Sequence, residues 1–300
     1  MSNKSSINTR LNFCCLHHHV FDIMPDKLFI QWRFKKRVGY RLNLTNPQTF
    51  NEKLSYLKLY DHRDIYTTLA DKYAVYDVIE RQIGAKYLIP LLGVWDSFDS
   101  IDFDALPNQF VLKATHDSGS YVICTDKQSF DIQKAKKKLE KALKRNYYML
   151  SREWQYKNIP PRIIAQKYMA DEKGKALKDY KVLCCNGKAR VIHVNIDRFS
   201  DSRQDYYDTE WNKLDIVQDL PMSDIVLEKP ALLPKMLELS EKLAQDYPVM
   251  RVDWYIGNNQ LYFGELTLYE ESGMYPFKNI EHDFLLGSWI TLPQKGGDKR

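Results

Sequence analysis

The first part of the chain carries apolar residues at helical spacing. Three segments within residues 25–86 show this pattern and predict helices: PDKLFIQWRFKKRVG, NPQTFNEKLSYLKLY and DIYTTLADKYAVYDVIERQIG. In the second segment Thr49 precedes the apolar run and Glu52 follows three residues later, which is the sequence of a capping box. Gly39 and Gly84 follow the first and third segments and predict where those helices end.

Alternating apolar and polar residues predict β-strands in the rest of the chain. Two β-rich runs flank a turn at His116–Ser120 in NQFVLKATHDSGSYVICT, and PPRIIAQKYM predicts a strand whose two prolines mark a boundary. Asn186-Gly187 predicts a hairpin in LKDYKVLCCNGKARVIHVNIDRF, and RVDWYIGNNQLYFGELT predicts a second hairpin. Helical patterns in DIQKAKKKLEKALKRN and LLPKMLELSEKLAQDY, with an aromatic-rich loop at 199–220, complete the pattern of an α+β protein.

Composition sets broad limits on function. The chain has 300 residues, 44% of them hydrophobic, and a formal net charge of +5. This length suits one large domain or two moderate ones, and the charge allows an anionic ligand but does not predict nucleic-acid binding. No stretch reaches the roughly 20 apolar residues that span a bilayer, so we expect a cytoplasmic protein. The cysteines show no CxxC spacing and favour a reducing compartment; they are Cys14, Cys15, Cys124, Cys184 and Cys185.

The two ends of the chain are expected to contribute little. Residues 1–24 are interpreted as a flexible or helical leader and residues 293–300 as a polar tail. A metal cluster of Cys14, Cys15 and His17–His19 is the less favoured alternative, because adjacent residues cannot all face one ion. KLFIQWRFKKRVGYR mixes aromatic, apolar and basic residues, and we interpret it first as a helical cap and second as a surface for peripheral association with the inner membrane.

Two carboxylates interrupt the apolar strands of the last hairpin. With a three-residue loop at Asn258–Gln260, Asp253 lies opposite Glu265 and the two side chains share one face, whereas a two-residue loop would place them on opposite faces. Like charges at this separation need a counter-ion. One alternative is an ion-pair network with Arg251; the other is Mg²⁺ held by the two carboxylates and the hydroxyl of Thr267, because this ion prefers oxygen ligands.

Basic residues on other strands suggest a phosphate site. Lys113 lies inside the apolar run FVLKA, where a charge needs an anionic partner unless the side chain extends to solvent. The turn at His116–Ser120 can offer backbone N–H groups to a phosphate. Lys181 and Arg198 add positive charge to the two arms of the first hairpin. Together these features suggest phosphate and Mg²⁺ between two β-rich lobes.

The chain resembles a known family, the TupA-like branch of the ATP-grasp fold, which is named for teichuronopeptide biosynthesis. The resemblance covers about residues 25–292 and is carried by six motifs in order: LTNPQTFNEKL, LADKYAVYDVI, LPNQFVLKATHDSGS, REWQYKNIPPRIIAQKYM, KDYKVLCCNGKARVI and RVDWYIGNNQLYFGELT. It implies an α+β, ATP-grasp fold in which two α+β subdomains, residues 90–165 and 166–292, clamp ATP. A helical N-terminal region would occupy residues 25–89.

The resemblance also implies ATP and Mg²⁺ as cofactors and gives roles to individual residues. Lys113 would contact the ATP phosphates, the His116–Ser120 loop would cover them, and Gln166–Met169 would form the hinge beside the adenine. The expected site residues are, for the nucleotide, Lys113, His116, Ser118, Gly119, Ser120, Gln166, Lys167, Tyr168, Met169 and Lys181; for catalysis, Lys181, Arg198 and Arg251; and for Mg²⁺, Asp253, Glu265 and Thr267.

Two positions depart from the family pattern. Gln166 stands where glutamate is common, and LYEESG, with Glu270 and Glu271, follows the metal strand where a small flexible segment is usual. We expect the first departure to alter only the adenine contacts and the second to change the acceptor or the metal geometry.

The activity implied by the resemblance is a carbon–nitrogen ligase. Ligases similar to this chain activate a carboxylate as an acylphosphate with ATP and then pass the acyl group to an amine. Family context implies an amide between an amino acid or peptide and a carboxylated sugar in bacterial capsule, O-antigen or teichuronic polymer biosynthesis. The alternatives are a polysaccharide glycosyltransferase, which would release UDP, GDP or CMP, a small-molecule kinase on the same fold, and a non-catalytic scaffold.

Overall fold

A computed structural model of the chain describes residues 23–170, 177–196 and 202–293. These parts combine helices with two antiparallel sheets, which confirms the predicted α+β class. The helices are α1 Asp26–Arg37, α2 Phe50–Tyr60, α3 Ile65–Ala70, α4 Val75–Ile83, α5 Ile132–Leu143, α6 Tyr148–Ser151, α7 Leu233–Ala244 and α8 Ile280–Ser288. The strands are β1 Leu91–Trp95, β2 Phe110–Ala114, β3 Tyr121–Cys124, β4 Ile163–Lys167, β5 Asp179–Cys185, β6 Lys188–Ile196, β7 Arg203–Tyr207, β8 Lys213–Leu214, β9 Val249–Gly257 and β10 Gln260–Thr267.

The first sheet has four strands in the order β1-β4-β2-β3. The prolines of PPRIIAQKYM precede β4 without entering it, so β4 can occupy an interior position in this sheet. One face packs on α5 through a core that includes Phe110, Leu112 and Leu139. The lysines of α5 lie largely on its exposed side, which agrees with their interpretation as a solvated face.

The second sheet has six strands in the order β10-β9-β5-β6-β7-β8. The two predicted hairpins, β5–β6 and β9–β10, join through the pairing of β5 with β9. The prediction of a loop at 199–220 is wrong in part, because β7 and β8 lie in this segment and extend the sheet. On one face Val252 and Trp254 are fully buried, and the indole N–H of Trp254 donates to Ser240 Oγ of α7 at 2.8 Å. Helix α7 therefore covers the apolar face of the sheet.

Two bulges set the register of this sheet. The β9–β10 loop contains two residues, Asn258 and Asn259, so of the two alternatives the two-residue loop is the one that forms. One additional residue, Gly264, bulges from β10 and restores the register that places Asp253 opposite Glu265. In the same way Arg190 is the additional residue of β6 between its pairings with Cys184 and Leu183 of β5.

The N-terminal helices follow the predicted pattern with one difference. The capping box of α2 is confirmed, since Thr49 Oγ1 accepts from the Glu52 backbone N–H at 3.2 Å and the Glu52 carboxylate accepts from the Thr49 N–H at 3.2 Å. The single helix predicted across DIYTTLADKYAVYDVIERQIG is wrong, because the segment forms α3 and α4. Asp71 interrupts it by accepting from the Tyr73 N–H at 2.9 Å and from Arg162 Nη2 at 2.8 Å.

Helix α1 directs its apolar residues into the protein. Phe29, Ile30 and Phe34 are fully buried, which supports the helical-cap interpretation, while Leu28 is 56% exposed. Peripheral membrane association stays a prediction. Within the described ranges no helix combines the length and apolar character needed to cross a bilayer. The predicted metal cluster at Cys14–His19 lies outside the described residues, as does most of the predicted leader and tail.

Candidate active site

Five polar side chains form a row across the six-stranded sheet. The register places Glu265 of β10 beside Asp253 of β9, followed by Lys181 of β5, His193 of β6 and Tyr206 of β7. Directly paired residues project from the same face of a sheet, so all five lie on the face opposite α7. This polar row is the centre of the candidate active site.

Cations and carboxylates alternate at the centre of the row. Arg251 donates from Nε to Asp253 Oδ1 at 2.6 Å and from Nη2 to Glu265 Oε1 at 3.1 Å. Lys181 Nζ lies 2.5 Å from Asp253 Oδ2 and 2.8 Å from Asp179 Oδ2. Burial alone would raise the pKa of Asp253, but the charges of Arg251 and Lys181 outweigh burial and hold this pKa well below its usual range. Asp253 is therefore ionised, and Arg251 forms ion pairs with both carboxylates of the hairpin.

The row and its neighbours contain more carboxylates than cations. Arg251 Nη1 also lies 3.9 Å from Glu270 Oε1, so one guanidinium faces three acidic residues. An excess of negative charge in a largely buried environment is unfavourable unless a cation binds. The carboxylates are those of Asp179, Asp253, Glu265 and Glu270, and the cations are Lys181 and Arg251.

The three residues predicted to bind Mg²⁺ lie together, but their oxygens are not equally accessible to a metal ion. Both oxygens of Asp253 already accept from Arg251, whereas the Glu265 side chain is 44% exposed. Thr267 Oγ1 lies 3.3 Å from Glu265 Oε1. In the described part of the chain, no three His, Cys, Asp or Glu side chains are arranged around one ion position. This donor set fits Mg²⁺ that takes its other ligands from phosphate and water, and Glu265 is its most accessible protein oxygen.

Two of the predicted nucleotide residues share a face of the four-stranded sheet. Lys113 pairs with Ile164 and Tyr121, and Gln166 follows two positions after Ile164 on β4, so both project away from the core beneath α5. Gln166 Nε2 donates to Tyr76 Oη at 2.5 Å, and its buried Oε1 has no hydrogen-bond partner in the parts of the chain described. A ligand donor would satisfy that oxygen. Lys167, Tyr168 and Met169 follow as more accessible residues at the end of the strand.

The turn between β2 and β3 holds the predicted phosphate loop. His116 is buried and its Nε2 lies 2.9 Å from the carbonyl oxygen of Ala142, so its side chain faces the end of α5. Ser120 Oγ donates to the buried Asp117 carboxylate at 2.5 Å. Ser118 and Gly119 are exposed at the tip, where Gly119 has a φ of +86°. A phosphate at this turn would therefore meet backbone groups and the exposed tip, not the His116 ring.

Tyr156 lies near both sets of predicted residues. Burial raises the pKa of Tyr156 well above its usual value, and the charges of Glu153, Glu265 and Asp117 raise it further. Asp117 belongs to the turn of the four-stranded sheet and Glu265 to the six-stranded sheet. The charges of both sheets therefore act on the phenol of Tyr156.

His193 and Glu270 form a buried pair that the sequence did not indicate. His193 Nε2 lies 3.1 Å from Glu270 Oε1, yet neither atom has a hydrogen bond of good geometry to any described group. Gln204 Nε2 donates to His193 Nδ1 at 3.1 Å. Burial, with Arg251 and Lys181 nearby, lowers the pKa of His193 well below its usual value, so this ring is neutral. Burial raises the pKa of Glu270 to about 7, which Arg251 opposes.

Sequence reasoning also missed Asp179, which ion-pairs with Lys181, and Tyr206 at the end of the row. His193 lies beside Lys181 only because Arg190 bulges from β6. Without this bulge, pairing from the Asn186-Gly187 turn would place His193 on the opposite face of the sheet. Arg198, predicted as a catalytic cation, lies outside the described residues.

Comparison with known proteins identifies the family. A profile described as TupA-like ATPgrasp matches residues 52–291. The chain belongs to the TupA-like ATP-grasp family. The predicted resemblance and the ATP-grasp fold are thereby confirmed, and the match begins within α2 of this TupA-like protein and ends after α8.

Several solved structures are also similar to this TupA-like chain. D-alanine–D-alanine ligase from Bacillus anthracis, complexed with ATP, is 13% identical with a TM-score of 0.39, covering 72% of this chain and 55% of that one. A RimK domain ATP-grasp protein from Sphaerobacter thermophilus is 10% identical with a TM-score of 0.42, covering 75% and 69%. An L-amino acid ligase from Bacillus licheniformis is 11% identical with a TM-score of 0.41, covering 69% and 42%.

The chain spans 55%, 59% and 62% of the length of the first three solved structures it matches. A search of curated proteins finds no match to it.

Proposed function

We propose that this TupA-like protein is an ATP- and Mg²⁺-dependent carboxylate–amine ligase. It joins an amino acid or peptide to a carboxylated sugar during the synthesis of a bacterial surface polymer. Membership of an ATP-grasp family supports the use of ATP. The observation that carries the proposal is the polar row, where carboxylates outnumber cations beside the accessible oxygens of Glu265.

The nucleotide would lie between the two sheets. Gln166 Oε1 would accept from the adenine amino group, and Lys113 on the same face would approach the phosphates. The turn at residues 116–120 would approach the phosphates with backbone N–H groups. Bound in this way, the nucleotide would have its adenine at the end of β4 and its phosphates on the side of Glu265.

The chain's own residues would act by positioning and by charge. Lys181 and Arg251 are held by carboxylates in fixed positions, so they would donate to a transferring phosphoryl group without reorganisation. Bound at Asp253, Glu265 and Thr267, Mg²⁺ would neutralise phosphate charge. A reaction that passes through an acylphosphate requires no nucleophile from the protein, and orientation of the two substrates supplies much of the rate.

The test combines ATP, Mg²⁺, hydroxylamine and a panel of uronic acids and amino acids. We expect ADP and an acyl hydroxamate to form together with one class of carboxylate. Glu265→Gln should reduce Mg²⁺-dependent ADP formation by about 100-fold or more, because one charged oxygen ligand of the phosphate-bound ion is lost.

Glu238→Gln is the matched control. This exposed acid lies on α7, which covers the opposite face of the sheet, and the variant should keep full turnover. A stable phosphorylated product without an amine requirement would contradict the ligase and indicate a kinase. Release of UDP, GDP or CMP from a sugar nucleotide would indicate a glycosyltransferase.

A further inference from the structure

Glu270 is a buried acid next to the proposed reaction centre, and the mechanism above does not use it. Only 4% of its surface is exposed, and its Oε1 has no hydrogen-bond partner among the residues described. The same guanidinium, that of Arg251, donates to Asp253 and Glu265 and lies 3.9 Å from Glu270. The Arg251 side chain therefore links Glu270 to Asp253 and Glu265, two of the residues predicted to bind Mg²⁺.

A second buried atom points to the same place. His193 Nε2 is 3.1 Å from Glu270 Oε1 and is likewise without a hydrogen bond within the described ranges. An unsatisfied buried polar atom costs about 1–3 kcal/mol, and two side by side are expected where a ligand or ordered water completes the contacts. A purely structural ion pair would be expected to satisfy both atoms.

We propose that Glu270 accepts the proton that the donor amine loses before it attacks the acylphosphate. The proposal deepens the ligase function proposed above and depends on it. It gives the segment LYEESG a specific role, because the residue that departs from the family pattern supplies the base. The substrate class that it selects is a primary amine that arrives protonated, such as the α-amino group of an amino acid or peptide.

The step balances in atoms and charge. The ammonium group gives one proton to the Glu270 carboxylate, directly or through one water, and becomes a neutral amine. The nitrogen lone pair then forms a bond to the acyl carbon while the bond from that carbon to the phosphate oxygen breaks. The second nitrogen proton leaves with the phosphate as hydrogen phosphate, and the amide keeps one N–H. Glu270 returns its proton to solvent in the next cycle.

The surroundings of Glu270 allow it to change charge near neutral pH. Burial disfavours the carboxylate form of Glu270, and the positive charge of Arg251 on β9 favours it, so the two effects oppose each other. A base of this kind works well near the pH at which it titrates. The charged and titratable groups that face it are Arg251 and Asp253 on β9, Lys181 on β5, His193 on β6, Tyr206 on β7 and Glu271 beside it in the chain.

The test compares two nucleophiles in the full-length protein. Amino acids are mainly protonated at neutral pH and need a base, whereas hydroxylamine is mainly unprotonated and does not. We expect Glu270→Gln to lower amide formation with an amino acid donor by about 100-fold or more. The same variant should retain ADP and hydroxamate formation, and raising the pH should recover part of the amide rate because more of the donor is then unprotonated.

Glu281→Gln is the matched control, since it removes the same charge from an exposed acid at the start of α8 and should keep the amide rate. Equal losses in both variants, or an unchanged amide rate in Glu270→Gln, would overturn the proposal while the ligase stands. Loss of hydroxamate as well as amide in a folded Glu270→Gln protein would also overturn it, because Glu270 would then be needed before the amine step. Absence of hydroxamate in the wild-type protein would instead overturn the ligase function, and the proposal with it.

Discussion

At the scale of single residues, Glu270 combines a proposed function with a cost in stability. Burial raises its pKa to about 7, with Arg251 opposing and Glu271 adding to the rise. The folded protein therefore binds this proton more tightly than the unfolded chain, whose glutamates titrate near 4.3. Protonated Glu270 is compatible with the fold, and stability is lost as the pH rises from the unfolded value through about 7.

This gives a pH-dependent prediction for Glu270→Gln. Each pKa unit corresponds to about 1.4 kcal/mol, so at pH 8 the variant should be more stable than the wild-type protein by about 3–4 kcal/mol. Near pH 4 both side chains are neutral and the difference should be small. Urea unfolding at the two pH values measures this. An equal gain at both would show that packing and not charge causes the change.

At the scale of elements, local signals predicted the helices and hairpins, whereas the side-chain faces depended on two bulges. Thr49 and Glu52 predicted the start of α2, and Asn186-Gly187 predicted the β5–β6 turn, because these signals act within a few residues. Gly264 inside a strand pattern is a weak bulge signal, and Arg190 carries none. The pairing of β5 with β9 joins distant segments, so the row from Glu265 to Tyr206 could not be read from the sequence.

The bulge at Gly264 can be tested directly. An alanine Cβ there would lie 3.1 Å from the Asp253 carbonyl oxygen and 3.3 Å from the Asp253 Cβ, so the strand that carries this carboxylate must shift. We expect Gly264→Ala to lower the free energy of unfolding by about 1–3 kcal/mol and to reduce Mg²⁺-dependent ATP turnover. Thermal unfolding and ADP release measure these effects.

Gly257→Ala in the same hairpin is the control. Its Cβ would meet Leu177 Cδ1 at 3.1 Å, the end of a flexible side chain that can move aside. Its effect on both measurements should be smaller. If Gly264→Ala behaves like this control, the bulge does not position Asp253.

At the scale of the whole molecule, the N-terminal helices and the last helix are joined beside the site. Lys58 of α2 is buried and donates to the Ser272 carbonyl oxygen at 2.6 Å, so it holds the segment that follows Glu270. Lys53, one turn earlier, donates to the Ile290 carbonyl oxygen at 2.7 Å. The division into residues 25–89, 90–165 and 166–292 stays a prediction. The contacts of Lys53 and Lys58 could not be predicted from the sequence, because apolar periodicity shows where helices form but not what they contact. These contacts tie the first region to the third.

Asp283 of α8 joins this helix to the N-terminal region through three hydrogen bonds. Its carboxylate accepts from the Asn51 backbone N–H at 2.9 Å, from Asn51 Nδ2 at 2.9 Å and from Tyr40 Oη at 3.1 Å. Removing it leaves the buried donors of Asn51 without this partner, so we expect Asp283→Ala to lower the free energy of unfolding by about 2–4 kcal/mol. Glu281→Ala removes an exposed acid from the same helix and should change the free energy of unfolding by less than about 0.5 kcal/mol.

Because α8 follows the Glu270 segment and α2 holds that segment through Lys58, the Asp283 variant should also lower amide formation in the fraction that remains folded. Full amide-forming activity in a destabilised Asp283→Ala protein would show that the junction supports the fold without positioning the site.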